Sequence, residues 1–522
     1  MKLLFTHLTT SFMISTTRRT RTFNSFPPLF RTTPSTPSTA TTTRQSGSVV
    51  AMSTNSSYTA CTKCRGEGKL RKPLSKKARF QAKRQKTNVV PPPPPPTMVP
   101  CMVCSGSGLV EGVPSPPSGP HIAIVGGGLG GLALAVACQH RSIPFTVYER
   151  DENFFERSQG YGLTMQQASK AFKSLGITLK EGITSTQHLV HTPDGTVVGS
   201  WGLRKWGRPN DKKEAKRQNV HIARQSLRWQ LLEAMGGQVE WNCQLVGLQH
   251  GEDRVILTLQ RGSETLERSA DLVVGADGIR STTRRLYLGE EKTPLRYLGC
   301  LVILGIVSLS DISSSSALLD GETVFQTADG ITRIYAMPYS SDQFMWQLSF
   351  PLNEKHAIEV SLGGPSYLKA EALKRCEFWH DPIPQLLQAT PESLVSGYPV
   401  YDRDILIPDM LNPKSRITLL GDSAHPMSPF KGQGANCAIL DGLDLARAVY
   451  ETPGNLQEAV RAFESAMLAR STVKVQASAE AAEFLHSEIV THVGDVTRGC
   501  AAQVNPTNSA RETNSTSQKT KS

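Results

Sequence analysis

The alternation of apolar and polar positions predicts a strand–helix–strand unit that begins at His121. An apolar run at 122–125 ends in a glycine cluster, and a helix of small residues is predicted over 132–138. A second apolar run at 145–148 ends in Glu149. Short apolar runs bounded by turn residues are typical of buried strands, so we expect two strands joined by a helix, with an acidic residue after the second.

The chain after this first unit repeats such strand and helix patterns on both sides of one strand-rich segment. They fall at 221–232 (a strand end, then a helix), 240–259 (alternating strands), 271–277 (a buried strand ending in an acid), 301–350 (strand-rich), 416–422 (a strand ending in Gly-Asp) and from about 435 to 486 (helices). This order predicts an α/β protein. We expect a Rossmann-like domain, an inserted mostly β domain and a C-terminal helical segment.

The glycine cluster has the spacing of a dinucleotide-binding turn. In Gly-x-Gly-x-x-Gly, Gly126 would allow the tight turn, Gly128 would let the backbone approach a pyrophosphate, and Gly131 would let the helix pack close to the strand. The N-terminus of the helix offers unpaired N–H groups to the phosphates. Glu149 lies 18 residues after Gly131, near the spacing of an acid that binds a ribose hydroxyl.

The same stretch also has features of a transmembrane helix. Residues 122–138 form an unbroken run of apolar residues and glycine. The run is 17 residues long and contains five glycines, whereas a membrane span needs ~20 apolar residues. No transmembrane segment is therefore expected. A tight glycine turn in a buried strand–helix unit that holds no ligand stays open as the alternative to dinucleotide binding.

Charge is concentrated at one end of the 522-residue chain. Residues 1–120 carry a net charge of +15, while the remainder carries −3. The overall charge of +12 is therefore a property of the N-terminal arm, and the body gives no electrostatic reason to expect nucleic-acid binding. At this length the chain can hold two or three domains.

Residues 1–51 have the composition of a targeting sequence. Residues 1–50 contain no acidic residue, are rich in Ser and Thr and include five scattered arginines. This is typical of an organelle transit peptide, and Val49-Val50-Ala51 resembles a plastid processing site. We expect a chloroplast address, with the mitochondrion as the alternative and an untargeted disordered tail as the rival hypothesis. Residues 491–522 are polar and are also expected to be disordered.

Four of the ten cysteines belong to two copies of one short motif. Cys61 and Cys64 begin the first Cys-x-x-Cys-x-Gly-x-Gly, and Cys101 and Cys104 begin the second. Each pair can place two thiolates on one ion, and a tetrahedron of four thiolates selects zinc. The repeat resembles the cysteine-rich zinc region of DnaJ-type chaperones, which has four copies. A redox dithiol is the rival, although neither pair begins a helix after a strand.

A basic segment at 71–86 and a polyproline run at 91–96 lie between the two cysteine pairs. The basic segment is expected to be a helical arm, and one hypothesis is that this arm contacts RNA or an acidic partner. A solvated insertion between two pairs of metal ligands explains it equally well. Together with the proline-rich linker at 114–120, these features define a zinc module over 52–120.

The body resembles the class A flavin-dependent monooxygenases, the flavin-dependent aromatic hydroxylase family, over roughly 121–486. Three stretches carry the resemblance in this order: the glycine turn, Asp277-Gly278 with Ser281 and Arg284, and Gly421-Asp422 with the loop at 429–436. The resemblance implies FAD rather than NAD as the bound cofactor. It implies cofactor contacts from Gly126, Gly128, Gly131, Glu149, Arg150, Arg224, Asp277, Asp422, Gly432, Gly434 and Asn436.

The resemblance also implies separate roles along the cofactor. Glu149 would hold the adenosine ribose, Arg150 the adenine side, Arg224 the pyrophosphate and ribityl region, Asp277 both FAD and the reduced nicotinamide, and Asp422 a ribityl hydroxyl. Residues 432–436 would face the pyrimidine edge of the flavin, where a helix N-terminus stabilises the negative charge of the reduced ring. The structural alternative for either aspartate is a helix N-cap or turn carboxylate.

The reaction implied is a monooxygenation. NADPH or NADH would dock transiently, reduce FAD and leave, and molecular oxygen would form a flavin C4a-hydroperoxide that inserts one oxygen atom into a small aromatic or polyene substrate. Because the cofactor carries the chemistry, no catalytic side chain is expected. Substrate contacts are expected from Tyr335, Gln347 and Met427, with Tyr161, Arg333 and Phe430 as further candidates.

Two rival functions stay open. One is a binding protein, in which the zinc module recruits a protein or RNA partner and the flavin domain is non-catalytic. The other is an FAD-dependent reductase of the same fold; a two-nucleotide disulfide reductase is disfavoured because the body has no second glycine motif and only single cysteines. Within the body, 121–490, the FAD-binding parts are expected at about 121–185, 221–300 and 398–450, and the substrate sheet at about 186–220 and 301–397.

Overall fold

The computed structural model describes residues 58–72, 97–156, 161–166, 168–202 and 219–492. The predicted transit peptide, most of the basic arm, the polyproline run and the tail after residue 492 lie outside the described residues. Within the described ranges, no helix combines the length and the apolar character that crossing a membrane requires.

The described residues contain twenty-one strands, which form six sheets. The strands are β1 (Tyr58–Ala60), β2 (Lys69–Arg71), β3 (Met98–Pro100), β4 (Leu109–Glu111), β5 (Ile122–Val125), β6 (Phe145–Tyr148), β7 (Gly162–Met165), β8 (Ile183–Thr184), β9 (Gln187–His191), β10 (Val197–Trp201), β11 (Val220–Ala223), β12 (Gln244–His250), β13 (Val255–Arg261), β14 (Glu264–Ala270), β15 (Leu272–Gly275), β16 (Leu295–Ser308), β17 (Thr323–Ala328), β18 (Arg333–Ser340), β19 (Gln343–Pro351), β20 (Val395–Arg403) and β21 (Ile417–Leu419). The same residues contain nine α-helices: α1 (Leu129–Gln139), α2 (Ala168–Ser174), α3 (Arg224–Ala234), α4 (Thr282–Leu288), α5 (Glu354–Leu362), α6 (Gly364–Cys376), α7 (Ile383–Ala389), α8 (Gly434–Glu451) and α9 (Leu456–Phe484).

A four-stranded parallel sheet lies at the centre of the body. Its strand order is β21–β15–β5–β6, and every neighbouring pair is parallel. Strands buried on both faces are largely apolar, and in these four strands Thr146 of β6 and Thr418 of β21 are the exceptions. Ile124 and Val274 from the sheet share one core with Leu132 of α1 and Ile439 of α8, so both helices are anchored to the sheet by apolar contacts.

Helix α1 begins at Leu129, three residues before the predicted start, and therefore includes two glycines in its first turn. The glycines are accepted because α8 crosses α1 in close contact. A Cβ atom on Gly130 would lie 3.2 Å from Cβ of Ala438 in α8, and one on Gly442 of α8 would lie 2.6 Å from the backbone nitrogen of Leu134. The two helices thus meet backbone to backbone, which offsets the weak helix propensity of glycine.

A seven-stranded sheet forms the inserted part, in the order β10–β9–β17–β18–β19–β16–β20. Its pairs are antiparallel except β9 with β17. Helices α5, α6 and α7 were not predicted, and α6 and α7 cover one face by packing Leu368 and Leu386 into the same core as Trp346 of β19. Helix α5 buries only Ala357, so its sequence lacks a recognisable apolar stripe.

The observed architecture confirms the predicted fold class. A parallel nucleotide-type sheet is combined with an inserted, sheet-rich part and a C-terminal helical segment that ends with the 29-residue helix α9. In front of this body, β1 pairs with β4 and β2 pairs with β3. Each pair joins a strand next to one cysteine motif to a strand next to the other, so the two motifs form one unit.

Candidate functional site

The glycine turn is tightly packed at two positions and open at the third. Gly126 has a φ of +115°, and a Cβ atom there would lie 2.4 Å from the carbonyl oxygen of Ala276. A Cβ atom on Gly131 would lie 2.0 Å from the carbonyl oxygen of Gly126. At Gly128, the backbone is extended and the nearest atom to an added Cβ would be Ala276 O at 4.0 Å. The space beside Gly128 is therefore open to a ligand at the N-terminus of α1.

Glu149 lies beside this turn and holds it. Its carboxylate accepts hydrogen bonds from the backbone nitrogens of Gly127 at 2.7 Å and Asp151 at 3.1 Å. Each carboxylate oxygen has a further lone pair, so the group can still accept a bond from a ligand hydroxyl. The neighbouring Arg150 is exposed and lines the same small cavity as Glu149.

Arg228 is a buried site residue that was not predicted from the sequence. Its Nε donates to the carbonyl oxygen of Gly127 at 2.8 Å, and its guanidinium carbon lies 4.9 Å from the ring centre of Phe154. Arg228 lies four residues after the predicted Arg224 on α3, a spacing that puts both side chains on one face of the helix. That spacing is the signal from which Arg228 could have been identified.

The carboxylate of Asp277 is engaged by protein donors. It accepts hydrogen bonds from Ser281 Oγ at 2.5 Å, Thr283 N at 2.9 Å and Ser423 Oγ at 3.1 Å. Ser281 in turn caps α4 by accepting a bond from the backbone nitrogen of Arg284. Asp277 therefore ties the start of α4 to the loop after β21, and it lies at the wall of the small cavity.

Asp422 lines a large cavity, and its carboxylate has no hydrogen-bond partner among the described residues. The side chain is exposed to the cavity but otherwise surrounded by protein. Burial raises the pKa of Asp422, while His425 and Arg224 oppose this shift. A carboxylate with free acceptor positions in a partly desolvated cavity suits a ligand hydroxyl.

A buried ionic network holds the Gly421–Asp422 turn in place. Asp441 of α8 is fully buried and accepts hydrogen bonds from His425 Nε2 at 2.6 Å, Arg470 Nη2 at 2.7 Å and Gly421 N at 3.0 Å. Burial opposes both charges, but Asp441 raises the pKa of His425, and His425 with Arg470 lowers the pKa of Asp441. The network fastens the Gly421–Asp422 turn to α8.

The start of α8 faces the same large cavity. Gly432 adopts a left-handed φ of +59°, Gly434 is the first residue of the helix, and both line the cavity. Asn436 is fully buried and lines neither cavity. It accepts a bond from Gln166 N at 2.9 Å and donates to Thr164 O at 2.9 Å, so it holds β7 against the start of α8.

Two adjoining cavities connect these elements. The larger has a volume of about 1130 Å³ and the smaller, around Glu149, about 130 Å³. They share Gly128 and Arg224, among other residues, and so form one path along the protein. Nine of the eleven predicted cofactor residues line one or both cavities; Gly131 and Asn436 do not. The larger cavity exceeds the ~300–1000 Å³ typical of a small-molecule site, so it has room for more than one ligand group.

Side chains of the seven-stranded sheet form the opposite wall of the large cavity. Four residues that pair in register across neighbouring strands of this sheet line the cavity. They are Gln326 of β17, Tyr335 of β18, Gln347 of β19 and Leu304 of β16. The other predicted substrate residues also line it: Met427, Tyr161, Arg333 and Phe430. The structure therefore places every predicted substrate residue and Asp422 around one space.

Arg333 carries a buried positive charge in this wall. It is 5% exposed, and its Nε and Nη2 donate to Oε1 of Gln326 at 3.0 and 2.7 Å. Its guanidinium carbon lies 5.3 Å from the ring centre of Tyr335, and no carboxylate of the described residues forms an ion pair with it. Burial lowers the pKa of Arg333 to about 10, which still leaves it protonated at neutral pH.

The four motif cysteines converge away from these cavities. The sulfur atoms of Cys61, Cys64, Cys101 and Cys104 all lie within 4.8 Å of one another, and all four residues are buried and free of disulfides. The sulfurs of Cys64 and Cys104 are 3.7 Å apart. A tetrahedral site with Zn–S bonds of ~2.3 Å places its sulfurs ~3.8 Å apart, so this donor set fits one zinc ion.

Comparisons with known proteins agree with this geometry. Residues 120–453 match the family described as FAD binding domain. Aurachin C monooxygenase/isomerase from Stigmatella aurantiaca is 30% identical over 337 residues, which cover 64% of this chain and 81% of the relative. The chloroplastic zeaxanthin epoxidase of Nicotiana plumbaginifolia is 28% identical over 72% of this chain, but the match covers only 56% of the epoxidase.

Solved structures share the fold. Klebsiella pneumoniae HpxO, complexed with FAD and uric acid, aligns with a TM-score of 0.61 at 21% identity, over 70% of this chain and 89% of that one. 2,6-Dihydroxypyridine-3-hydroxylase from Arthrobacter nicotinovorans aligns with a TM-score of 0.61 at 19% identity, over 72% of this chain and 97% of that one. Because the family match spans more than half of the chain, the protein belongs to the FAD binding domain family and is an FAD-dependent oxidoreductase of the monooxygenase type.

Proposed function

We propose that the protein uses NADPH or NADH to reduce bound FAD, inserts one atom of molecular oxygen into a small organic substrate and releases the other atom as water. The observation that supports this best is the shared cavity. Gly128 and Asp422, which are expected to contact FAD, line the same space as Tyr335 and Gln347 of the inserted sheet. Cofactor and substrate would therefore meet there. When bound, FAD supplies the redox and oxygen chemistry.

The residues present fit FAD along the whole path. The open space at Gly128 beside the N-terminus of α1 suits the pyrophosphate, and the small cavity at Glu149 suits the adenosine ribose. The free carboxylate of Asp422 suits a ribityl hydroxyl. The start of α8, at Gly434, suits the pyrimidine edge of the flavin, because a helix N-terminus stabilises negative charge.

In this proposal the side chains position ligands and exclude water, and none acts as an acid or base. His425 is already paired with Asp441, and Asp277 is already bonded to Ser281 and Thr283. These groups hold the Gly421–Asp422 turn where Asp422 meets the cofactor. The protein's contribution is the placement of substrate next to the flavin in a cavity that restricts water.

Arg333 narrows the class of substrate. Among the described residues, the protonated guanidinium of Arg333 has a neutral amide as its hydrogen-bond acceptor and the Tyr335 ring beside it, and no carboxylate balances its positive charge in the cavity wall. Charge-assisted hydrogen bonds to an anionic oxygen are about twice as strong as those between neutral groups. Within the proposed aromatic or polyene class, we therefore favour substrates that carry a phenolate or carboxylate oxygen.

An activity screen with a matched variant tests both parts of the proposal. FAD-loaded protein should consume oxygen and NADPH or NADH in equal amounts when given its substrate from a panel of acidic and neutral phenols, heterocycles and polyenes. Arg333→Met should raise the KM for an acidic substrate about 10–150-fold, because one charged hydrogen bond contributes about 1.5–3 kcal/mol. Arg333→Lys should recover part of the loss.

Three outcomes of the screen would contradict the proposal. Oxidation of NADPH or NADH without oxygen uptake would identify a reductase of the same fold. Equal losses for acidic and neutral substrates in Arg333→Met would give Arg333 a purely structural role. A protein that binds FAD but never oxidises NADPH or NADH would favour the binding-protein alternative, whose basic arm lies mostly outside the described residues.

We propose that the four motif cysteines bind one zinc ion. Their converging sulfurs support this, as do hydrogen bonds of 3.2 Å from Gly68 N to Cys64 Sγ and from Gly108 N to Cys104 Sγ, which stabilise thiolate charge. Metal analysis of the full chain should find one zinc per protein, lost in Cys61→Ser and retained in the control Cys300→Ser. Zinc retained in both variants would contradict the assignment.

We also propose that the protein is located in plastids. The composition of residues 1–51 supports this, and zeaxanthin epoxidases among the relatives are named chloroplastic. A fluorescent fusion of the full chain in plant cells should coincide with chlorophyll; a cytosolic signal would contradict the proposal.

A further inference from the structure

We propose that the four-cysteine module is a clamp that couples metal binding to FAD affinity. The module fastens the C-terminal ends of α1 and α8, the two helices whose N-termini face the cavities. The proposal depends on the proposed zinc site and on FAD binding by the body. It assigns a purpose to a motif that the monooxygenase reaction does not require.

The first fastening is at the end of α1. The carbonyl oxygen of His140 accepts a hydrogen bond from Ala60 N at 2.9 Å. Arg141, which is 4% exposed, donates through Nη1 to Ala137 O at 2.9 Å and through Nη2 to Gly66 O at 3.2 Å. One buried guanidinium thus joins the last turn of α1 to the first cysteine motif.

The second fastening is on α8 and uses the same acceptor. Arg447 Nε donates to the carbonyl oxygen of Gly66 at 3.3 Å and lies 3.8 Å from a carboxylate oxygen of Glu67. Gly66 O therefore accepts from Arg141, two residues after α1, and from Arg447 of α8. The position of Gly66 is set by its motif, because its backbone nitrogen donates to Cys61 O at 3.1 Å.

The two fastened helices form a rigid connection to the cofactor site. They cross backbone to backbone at Gly130 and Gly442. The N-terminus of α1 is at the open position beside Gly128, and the N-terminus of α8 begins at Gly434 in the large cavity. A helix rises 1.5 Å per residue, so α1 and α8 span roughly 16 and 27 Å between the module and these ends.

Loss of the metal would release both fastenings together. The strand pairs β1–β4 and β2–β3 keep the two motifs side by side, but the four buried sulfurs lie within 4.8 Å of one another, so the ion is what fixes the loops between these strands. When these loops lose the ion, Gly66 O is free to move away from Arg141 and Arg447. The buried Arg141 guanidinium then keeps Ala137 O but loses its acceptor in the module, which favours movement of the end of α1.

Thermodynamic linkage gives two expected results. Removing zinc from the full-length protein with a chelator should raise the Kd for FAD about tenfold, within the range usual for coupled sites, and adding zinc back should restore it. By reciprocity, saturating FAD should strengthen zinc binding by the same factor. Flavin fluorescence measures the first effect, and competition with a chromophoric chelator measures the second.

A decoupling variant separates the clamp from general stability. Arg141→Met with Arg447→Gln should retain one zinc per chain but bind FAD weakly, with an affinity that no longer responds to zinc. Lys173→Gln is the matched control: Lys173 Nζ donates to Ser105 O at 3.0 Å, but it belongs to α2. This variant should keep the coupling of the wild type.

The outcomes distinguish the clamp from the cofactor site itself. Unchanged FAD affinity after zinc removal, or full coupling in the double variant, would overturn the clamp and leave FAD binding intact. A failure of the zinc-loaded wild type to bind FAD would instead overturn the cofactor site. Chelation of the wild type keeps the test valid even where a variant fails to fold.

Discussion

Replacing Asp441 with asparagine should lower the free energy of unfolding by about 3–5 kcal/mol, the usual cost of removing one partner from a buried ion pair. The change keeps the size of the side chain but removes the charge that pairs with His425 and Arg470. It also weakens the acceptor for Gly421 N, so FAD affinity should fall with stability. Urea unfolding of the apoprotein and FAD titration measure the two effects.

Asp444→Asn is the control, because Asp444 also pairs with Arg470 but is partly exposed. Loss of the Asp444 charge should lower the free energy of unfolding by no more than about 1 kcal/mol, as is usual for accessible ion pairs. If the two substitutions lowered the free energy of unfolding equally, burial of Asp441 would add no stability beyond that of an accessible ion pair. Loss of stability in Asp441→Asn with unchanged FAD affinity would show that the network does not hold the Asp422 turn.

The same network should make stability depend on pH in a defined window. The pKa of Asp441 is lowered on folding, so its contribution is present above the ordinary value of 3.8 and is lost as pH falls through the folded value. The pKa of His425 is raised, so its contribution is complete below 6.5 and is lost as pH rises through the folded value. The pair therefore stabilises the folded protein most between these two pH limits. Folding stability should decline as pH rises above 6.5, and His425→Gln should remove that decline.

Local patterns explain why much of the fold could be predicted. The strand, glycine turn and helix at 122–139 are encoded by adjacent residues, and the structure contains them in that order. The two cysteine motifs are also local, and the strands beside them pair as one unit. Both signals depend on short spacings that only a few backbone conformations satisfy.

Long-range partners explain what could not be predicted. Asp441 lies inside a helical pattern, where an acid is expected on the solvent face; only packing against His425 and Arg470 buries it. Arg141 looks like a surface residue at the end of α1 until the module covers it. Helices α5 and α6 bury few apolar residues, most of them small, so their periodicity is weak and packing against the sheet decides their position.

Substituting alanine for Gly128 should separate the cofactor role of the glycine turn from its role in folding. The backbone at Gly128 has φ −81° and ψ −176°, which any residue adopts, and the nearest protein atom to a new Cβ would be 4.0 Å away. The apoprotein should therefore be as stable as the wild type or up to about 1 kcal/mol more stable, because alanine restricts the unfolded chain. Thermal unfolding without FAD measures this part.

The added methyl group would nevertheless occupy the space where a pyrophosphate meets the N-terminus of α1. Losing one charge-assisted hydrogen bond costs about 1.5–3 kcal/mol, so the Kd for FAD should rise about 10–150-fold. Gly131→Ala is the contrasting variant: its Cβ would lie 2.0 Å from Gly126 O, so it should lose apoprotein stability as well. Wild-type FAD affinity in Gly128→Ala would mean that the cofactor phosphates lie elsewhere, and the placement of FAD along Glu149, Asp422 and α8 would then be wrong.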